Sequence, residues 1–277
     1  MGNDATAGAP AAALSRGMRI YLAFTAFVCG GLVMTVELAS ARILAPLFGA
    51  SLYVWTSVIA VALLALAAGY AAGGRLADAF PKCRVLYGLI TLAALLLLAD
   101  VAVRDEVLRW ASGLGLRAGA LAGATVLFAP PLLLLGTVSP YAVRLYSRDP
   151  AILGRDVGIL YAASTAGSFA GTLLTGFWFI PVVGLVRLLA LSAAILVALA
   201  IGYVLQCRPQ TGIALAILFG GTLWLARDVG TATGANAAPP GAVLLERETG
   251  KYGRLSVVEF SGNERMLLLD GVNQGSV

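Results

Sequence analysis

Two charged residues at the end of the first apolar stretch could do chemistry inside a membrane. Glu37 is the acid that lies most clearly within an apolar run, and Arg42 follows in the same stretch. An ionised carboxylate in hydrocarbon is costly, so such a residue usually serves a function and has a partner. Two interpretations stay open: a cation or proton site that lines a cavity, or a structural ion pair near the membrane surface. We therefore treat Glu37 and Arg42 as candidate substrate-binding residues.

A second polar cluster separates two apolar runs between Gly74 and Arg84. Asp78, in so short a loop, can accept backbone N–H bonds at the start of the following helix and can pair with Lys82 or Arg84. We therefore interpret Gly74, Asp78, Lys82 and Arg84 as a structural hinge. It would hold two membrane helices in register rather than touch a substrate.

Glycines at helical spacing mark two of the apolar runs. Gly69 and Gly73 are separated by one helical turn, as are Gly167 and Gly171. Because glycine has no side chain, two helix backbones can approach closely at such positions in a membrane. The spacing predicts that these four glycines are helix-packing residues.

Several kinds of chemistry are excluded by the residues that are missing. The chain has no histidine, which excludes a histidine-ligated haem or metal and a histidine proton relay. Cys29, Cys83 and Cys207 lack metal-ligand spacing, and the sequence has no Ser/His/Asp set and no phosphate-binding glycine loop. We predict no catalytic residue, no metal and no cofactor in this chain. Its formal charge of +5 fits loops beside anionic lipid headgroups better than nucleic acid.

The composition decides the fold class. Apolar residues make up 60% and charged residues 12% of the chain, about half the charge of a soluble domain. We predict an all-α polytopic membrane protein in the lipid bilayer, with about seven transmembrane helices. Breaks are expected at residues 45–49 and at Pro181 and Gly184, and Asp100 and Asp156 at span ends should face headgroups or cap helices. The expected spans cover about residues 20–38, 52–76, 85–103, 118–138, 158–180, 185–205 and 211–226.

Changes in composition divide the chain into four parts. They are a disordered N-terminal segment (1–17), a transmembrane helical domain (18–227), a linker (228–242) and a C-terminal β-hairpin (243–277). Within the last part, Gly253 to Phe260 alternates like a strand, and Arg265 to Leu269 reads as a second strand. A lone hairpin is only marginally stable in water. We therefore expect it to pair with another chain or with a continuation of this one.

The basic residues set the expected orientation. More of them fall on the loops that would be cytoplasmic if the N-terminus were inside, so the positive-inside rule favours a cytoplasmic N-terminus. Seven spans of the cell (inner) membrane would then place the C-terminal hairpin on the outer side.

One motif resembles a known family of transporters. Gly74-Arg75-Leu76-Ala77-Asp78, followed by Lys82 and Arg84, resembles the cytoplasmic loop between helices 2 and 3 of major facilitator transporters. The resemblance implies a half major-facilitator-like arrangement, since roughly half of that family's helices are present.

A longer resemblance covers nearly the whole chain. In the helical part its motifs are Glu37-Leu38-x-x-x-Arg42-Ile43-Leu44-Ala45-Pro46-x-Phe48-Gly49-x-Ser51-x-Tyr53-Val54-Trp55-Thr56, Gly73-Gly74-Arg75-Leu76-Ala77-Asp78, Val138-Ser139-Pro140 and Ser164-Thr165-x-Gly167-Ser168-x-x-Gly171-Thr172. In the tail they are Glu248-x-x-x-Tyr252 and Arg265-x-Leu267-x-Leu269-Asp270-Gly271-x-x-Gln274. The helical motifs resemble the membrane region of spermidine synthase-like integral membrane proteins, in which a facilitator-like helical region precedes an aminopropyltransferase domain. The tail resembles the β-hairpin that opens such a synthase, which implies Tyr252 and Gln274 as further substrate-binding candidates.

The resemblance implies a division of labour. The synthase's nucleotide-binding loop and catalytic aspartate would lie beyond Val277, so this chain is not expected to transfer an aminopropyl group itself. The first hypothesis is a membrane subunit or domain that anchors a soluble synthase-like partner through the hairpin and handles a small cationic or amine solute near Glu37. The alternatives are a half-size facilitator-like transporter that works as a homo-oligomer, and a structural subunit of a larger membrane complex.

Overall fold

Six of the helices are long and apolar enough to span a membrane, which confirms a helical, polytopic membrane protein. The computed structural model describes residues 15–147, 149–207, 220–221, 242–250, 253–260, 264–269 and 272–276. Of the expected seventh span at 211–226, only Gly220 and Gly221 lie within the described residues. The helices are α1 (Arg16–Phe48), α2 (Leu52–Ala79), α3 (Cys83–Ser112), α4 (Leu116–Tyr146), α5 (Leu153–Leu174), α6 (Ile180–Val183) and α7 (Leu185–Cys207), with a 3₁₀ turn at Pro150–Ile152.

Helix α1 is longer than the sequence predicts at both ends. The Ser15 hydroxyl caps its first turn by accepting a hydrogen bond from the Met18 N–H at 3.2 Å, so the helix begins at Arg16. The break expected at residues 45–49 is wrong, because the helix runs through Pro46 to Phe48 and ends at Gly49, whose φ is +74°. A proline so near a helix end removes one backbone bond while its φ stays helical, and only glycine adopts the positive φ readily.

The fifth membrane helix also passes its expected end. Its helical path continues from α5 through a π-helical turn at Thr175–Phe179 into α6. Of the two residues expected to end it, Gly184 does so, whereas the helix runs through Pro181. A hydrogen bond of 2.8 Å between the Thr175 and Thr35 hydroxyls ties the π turn to α1. The wider turn leaves room for Pro181 at the start of the next helical segment, where it needs no N–H partner.

The helices pack as two interlocked halves. The contacts between helices occur in three matched sets: α1 with α5 and α4 with α2, α1 with α7 and α4 with α3, and α1 with α2 and α4 with α5. Within each set, one contact is converted into the other when α1 is exchanged with α4, α2 with α5 and α3 with α7. Contacts between α1 and α4 and between α3 and α7 are unchanged by the exchange. Because each half has three spans, the two halves cross a membrane in opposite directions, which defines an inverted repeat.

Glycines occupy equivalent positions at the helix crossings of the two halves. A Cβ built on Gly73 would lie 2.6 Å from the Thr137 Cα, and one built on Gly171 would lie 2.6 Å from the Gly31 Cα. One turn earlier, Gly69 meets the Leu133 backbone on α4. Its counterpart, Gly167, meets the Phe27 backbone on α1. The four glycines predicted as packing residues therefore lie at two equivalent helix crossings, α2 on α4 and α5 on α1.

The described part of the tail forms four strands in the order β1-β2-β3-β4. Neighbouring strands are antiparallel, with Gly250 paired to Gly253, Phe260 to Glu264 and Leu269 to Val272. The strands β1 and β4 form the two edges of this sheet. The strands are β1 (Ala242–Gly250), β2 (Gly253–Phe260), β3 (Glu264–Leu269) and β4 (Val272–Ser276).

Candidate functional site: a central cavity on the repeat interface

A cavity of about 110 Å³ lies between α1, α2, α4 and α5. Residues related by the inverted repeat line its walls. Leu66 and Tyr70 of α2 occupy the same positions relative to Gly69 and Gly73 as Ser164 and Ser168 of α5 occupy relative to Gly167 and Gly171. Helices α1 and α4 contribute equivalent residues in the same way. The cavity therefore sits where the two halves meet. The α1 and α4 lining residues related by the repeat are Cys29, Gly30 and Val33 on α1, and Leu135, Gly136 and Ser139 on α4.

Three hydroxyl groups in the cavity wall, those of Tyr70, Ser139 and Ser164, make no hydrogen bond with any described residue. The Ser168 hydroxyl donates to the Gly30 carbonyl at 3.1 Å, whereas Ser139 and Ser164 make no hydrogen bond within the part of the chain that the structure describes. Elsewhere in the bundle, hydroxyls usually bond to the carbonyl one turn earlier, as Thr91 and Ser192 do at 2.8 Å. That backbone bond is the ordinary way to satisfy a hydroxyl in a membrane helix. Ser139 and Ser164 are therefore available to a molecule in the cavity.

A small apolar cluster, here called the apolar layer, lies next to the cavity and shares Ala26 with its wall. It is a separate cluster of Ala26, Ala142 and Leu160, from α1, α4 and α5. The layer lies toward the end of the bundle where α1 and α5 begin and where α2 and α4 end, here called the N-side.

A buried ion pair lies beyond that layer, on the N-side. The Arg19 guanidinium of α1 donates to the Asp156 carboxylate of α5 at 3.0 Å, and Asp156 is 1% exposed. Arg155 lies 3.8 Å from the same carboxylate oxygen, and the Arg19 guanidinium stands 4.3 Å over the Tyr146 ring of α4. Asp156 is in the first turn of α5, but the expectation that it faces headgroups is wrong, because Arg19 draws it into the bundle. This cluster joins three of the four cavity helices.

The predicted hinge is held by α4. Asp78 lies in the last turn of α2 rather than in a loop, and its carboxylate accepts a hydrogen bond from Arg144 of α4 at 2.9 Å. Among the described residues, Asp78 neither pairs with Lys82 or Arg84 nor accepts a backbone N–H bond from the start of α3, so both of these expectations are wrong. The Tyr141 hydroxyl, also on α4, donates to the Phe80 carbonyl in the connection to α3. The side chains of Arg144 and Tyr141 therefore tie the α2–α3 connection to α4.

Glu37 and Arg42 both lie on α1, but on different faces. Glu37 is one turn beyond the lining residue Val33, on the same face of the helix and half-buried, whereas Arg42 falls on the opposite side. No ion pair joins Glu37 to Arg42 among the described residues. Glu37 is not part of the cavity wall. The helix face that carries Glu37 also lines the cavity at Val33, but Glu37 and Arg42 themselves are not cavity residues.

The remaining predicted residues are in the tail. Gln274 lies in the edge strand β4, while Tyr252 and the side chain of Gln274 fall outside the described residues. Gly74 lies in α2 next to the crossing glycine Gly73, with open space where a Cβ would point. Among the described residues, no group of three His, Cys, Asp or Glu side chains could hold a metal ion.

Sequence reasoning did not single out Ser139 and Ser164 as site residues. Their signal was present, because both occur in the motifs that carry the longer resemblance, at Val138-Ser139-Pro140 and at Ser164-Thr165. What the sequence does not contain is the packing that brings these two distant segments to one cavity.

Asp100 is a buried carboxylate whose Oδ2 atom has no partner in the described part of the chain. It lies inside α3 at 8% exposure, so the expectation that it faces headgroups or caps a helix is wrong. Its Oδ2 atom is buried and has no hydrogen-bond partner among the described residues. An unsatisfied buried polar group costs about 1–3 kcal/mol. The buried Asp100 carboxylate therefore lowers the free energy of unfolding.

We expect Asp100→Ala to raise the free energy of unfolding by about 1 kcal/mol, because the substitution removes that unsatisfied carboxylate. Thermal unfolding in detergent measures the change. The control is Asp105→Ala on the same helix, which removes a carboxylate that is 67% exposed and paired with Arg104 and should change stability by less than about 0.5 kcal/mol. A clear loss of stability in Asp100→Ala would show that the carboxylate has a stabilising partner.

Comparison of the chain with protein-family models, with curated proteins and with solved structures finds no match in any of the three.

Proposed function

We propose that this chain is a membrane domain that binds and passes a small solute through the cavity between α1, α2, α4 and α5. The observation that carries the proposal is the place of the cavity, with walls contributed equally by both halves of an inverted repeat. In transporters built from such repeats, the solute site lies at the interface between the repeats. Of the functions suggested by the sequence, this arrangement supports a half-size, facilitator-like transporter.

The sequence motifs lend support from another direction. Val138 and Ser139 come from one motif of the spermidine synthase-like resemblance, and Ser164 and Ser168 from another, and all four line the cavity. Gly73 and Gly171, from the same motifs, lie at the two crossings that shape it. Motifs that are distant in the chain therefore converge on one site. That convergence is expected if the resemblance reflects a shared solute site.

The proposal is tested by filling the cavity. In liposomes that contain the purified protein, we expect flux of at least one small solute from a panel of polyols, amides and amines, above that of protein-free liposomes. Ser139→Leu should abolish this flux, because the larger side chain occupies the space between α4 and α5. The control is Ala60→Leu, which adds the same volume at an exposed position on α2. If no solute in the panel moves, or if both variants behave alike, the cavity is not a solute path.

A second function is compatible with the first. We propose that the C-terminal sheet docks a soluble synthase-like partner, because strands β1 and β4 are edge strands that offer backbone groups for strand addition. Deletion of Ala242 to Val277 should then abolish co-purification of the partner and leave solute flux through the helical domain unchanged. A partner that stays bound after the deletion would contradict docking by the sheet.

A further inference from the structure

We infer that the cavity takes a small uncharged solute with hydrogen-bonding groups, such as a two- or three-carbon diol or a urea-sized amide, and not a cation. This inference rests on the proposed function, since it names the class of solute that the proposed path accepts.

The walls of the cavity carry no charge. The lining side chains, all within the described residues, are apolar apart from hydroxyl and thiol groups. Glu37 lies one turn past Val33 and outside the wall, and Arg19 and Asp156 neutralise each other beyond the apolar layer. A cation in this space would lose its water without gaining a counter-charge, which is strongly unfavourable. A neutral molecule pays no such penalty.

The unpaired hydroxyls define what the solute must offer. Ser139 on α4 and Ser164 on α5 can each donate and accept a hydrogen bond, and neither has a protein partner among the described residues. The facing walls include the apolar side chains of Val33, Met34 and Leu66. A solute with a polar group at each end and a short carbon frame satisfies both kinds of wall.

Size restricts the solute further. The cavity measures about 110 Å³, smaller than the ~150 Å³ cavity that admits benzene in an engineered protein core. About four or five non-hydrogen atoms therefore fit. Ethylene glycol and urea are within this limit.

Cys29 provides a built-in reporter, because its thiol lines the cavity while only 3% of the residue is exposed. In a Cys83→Ser, Cys207→Ser variant, the small neutral reagent methyl methanethiosulfonate should label Cys29, and urea or ethylene glycol should slow that labelling. The permanently charged trimethylammonium-ethyl reagent should label it far more slowly. Equal labelling by both reagents, or labelling that neither solute slows, would contradict a neutral binding site around Cys29.

The decisive experiment compares urea with guanidinium, which have nearly the same planar shape and differ in charge. In liposomes that contain the wild-type protein, we expect urea flux above the protein-free level and no added guanidinium flux. Substituting alanine at both Ser139 and Ser164 should reduce urea flux about three- to tenfold, as expected for lost hydrogen bonds to the solute. The control is Ser192→Ala, whose hydroxyl bonds to the Leu188 carbonyl on α7; it should leave flux unchanged.

The outcomes separate this inference from the proposed function. Guanidinium or amine flux that Glu37→Gln abolishes would overturn the neutral solute and favour the cationic solute expected near Glu37, while the cavity would remain a solute path. Absence of flux for every neutral and charged solute would overturn the proposed function itself.

Discussion

Substituting asparagine for Asp156 should lower the free energy of unfolding by about 3 kcal/mol, because it leaves the Arg19 guanidinium in the bundle without its counter-charge. The carboxylate is almost fully buried and accepts from Arg19 at 3.0 Å, while the side chain of Arg19 is 34% exposed. That partial exposure places the expected loss at the lower end of the range for broken buried pairs. Chemical or thermal unfolding in detergent measures it.

The chain provides a matched control for this substitution. Asp78 is also paired with an arginine, Arg144, at 2.9 Å, but its side chain is 75% exposed. An exposed ion pair contributes about 0–1 kcal/mol, so Asp78→Asn should have a much smaller effect than Asp156→Asn. Combining Asp156→Asn with Arg19→Gln should restore part of the loss, since the remaining cation near this site, Arg155, is 66% exposed and keeps its water. Equal losses for Asp78→Asn and Asp156→Asn would show that burial does not govern the strength of the Arg19–Asp156 pair.

The same two ion pairs show what the sequence could not supply. Arg19 and Asp156 are 137 residues apart, and Asp78 and Arg144 are 66 residues apart. Sequence spacing favoured local partners for Asp78, at Lys82 and Arg84, because neighbours in a short loop are always close. Which distant helix supplies the counter-charge depends on how the bundle packs. Local patterns do not contain that information.

The apolar runs and the glycine spacing were more informative. Run length and composition were enough to predict membrane-spanning helices, because the thickness of the bilayer fixes the length of a span. They placed helix ends less accurately, since the expected breaks were segments that hold both a proline and a glycine, residues 45–49 and 181–184, and the helices run through the prolines. In both cases the helix ends at the next glycine with a positive φ, Gly49 or Gly184. Glycine was the better boundary signal here because its backbone can leave the helix, whereas proline only removes one donor.

The cavity combines predictable and unpredictable features. The motifs around Ser139 and Ser164 were visible in the sequence, but the absence of backbone partners for these two hydroxyls is a property of the packed helices. Most other helical hydroxyls bond to their own helix, and nothing in the sequence distinguishes the two groups. The inverted repeat was also hidden, because the two halves share contact register rather than obvious sequence identity.

Replacing Gly167 with alanine should lower the free energy of unfolding by about 1–3 kcal/mol, because one added methyl forces α5 away from α1. The new Cβ would lie 2.6 Å from the Phe27 carbonyl carbon, which is backbone and cannot rotate aside. The control is Gly158→Ala on the same helix, where nothing lies within 4 Å. There the substitution should be neutral or stabilise the helix by up to ~1 kcal/mol. Thermal unfolding in detergent compares the two variants.

The repeat extends this prediction to the other half of the bundle. Gly69 stands in the same relation to Leu133 of α4 as Gly167 does to Phe27 of α1, so Gly69→Ala should cost a similar free energy. Because Ser164 and Ser168 flank Gly167 and line the cavity, displacement of α5 should also change solute flux, whereas Gly158→Ala should not. If Gly167→Ala proved as harmless as Gly158→Ala, the α1–α5 crossing would be looser than its backbone contacts require. The cavity would then lack the fixed walls on which selection between a neutral and a charged solute depends.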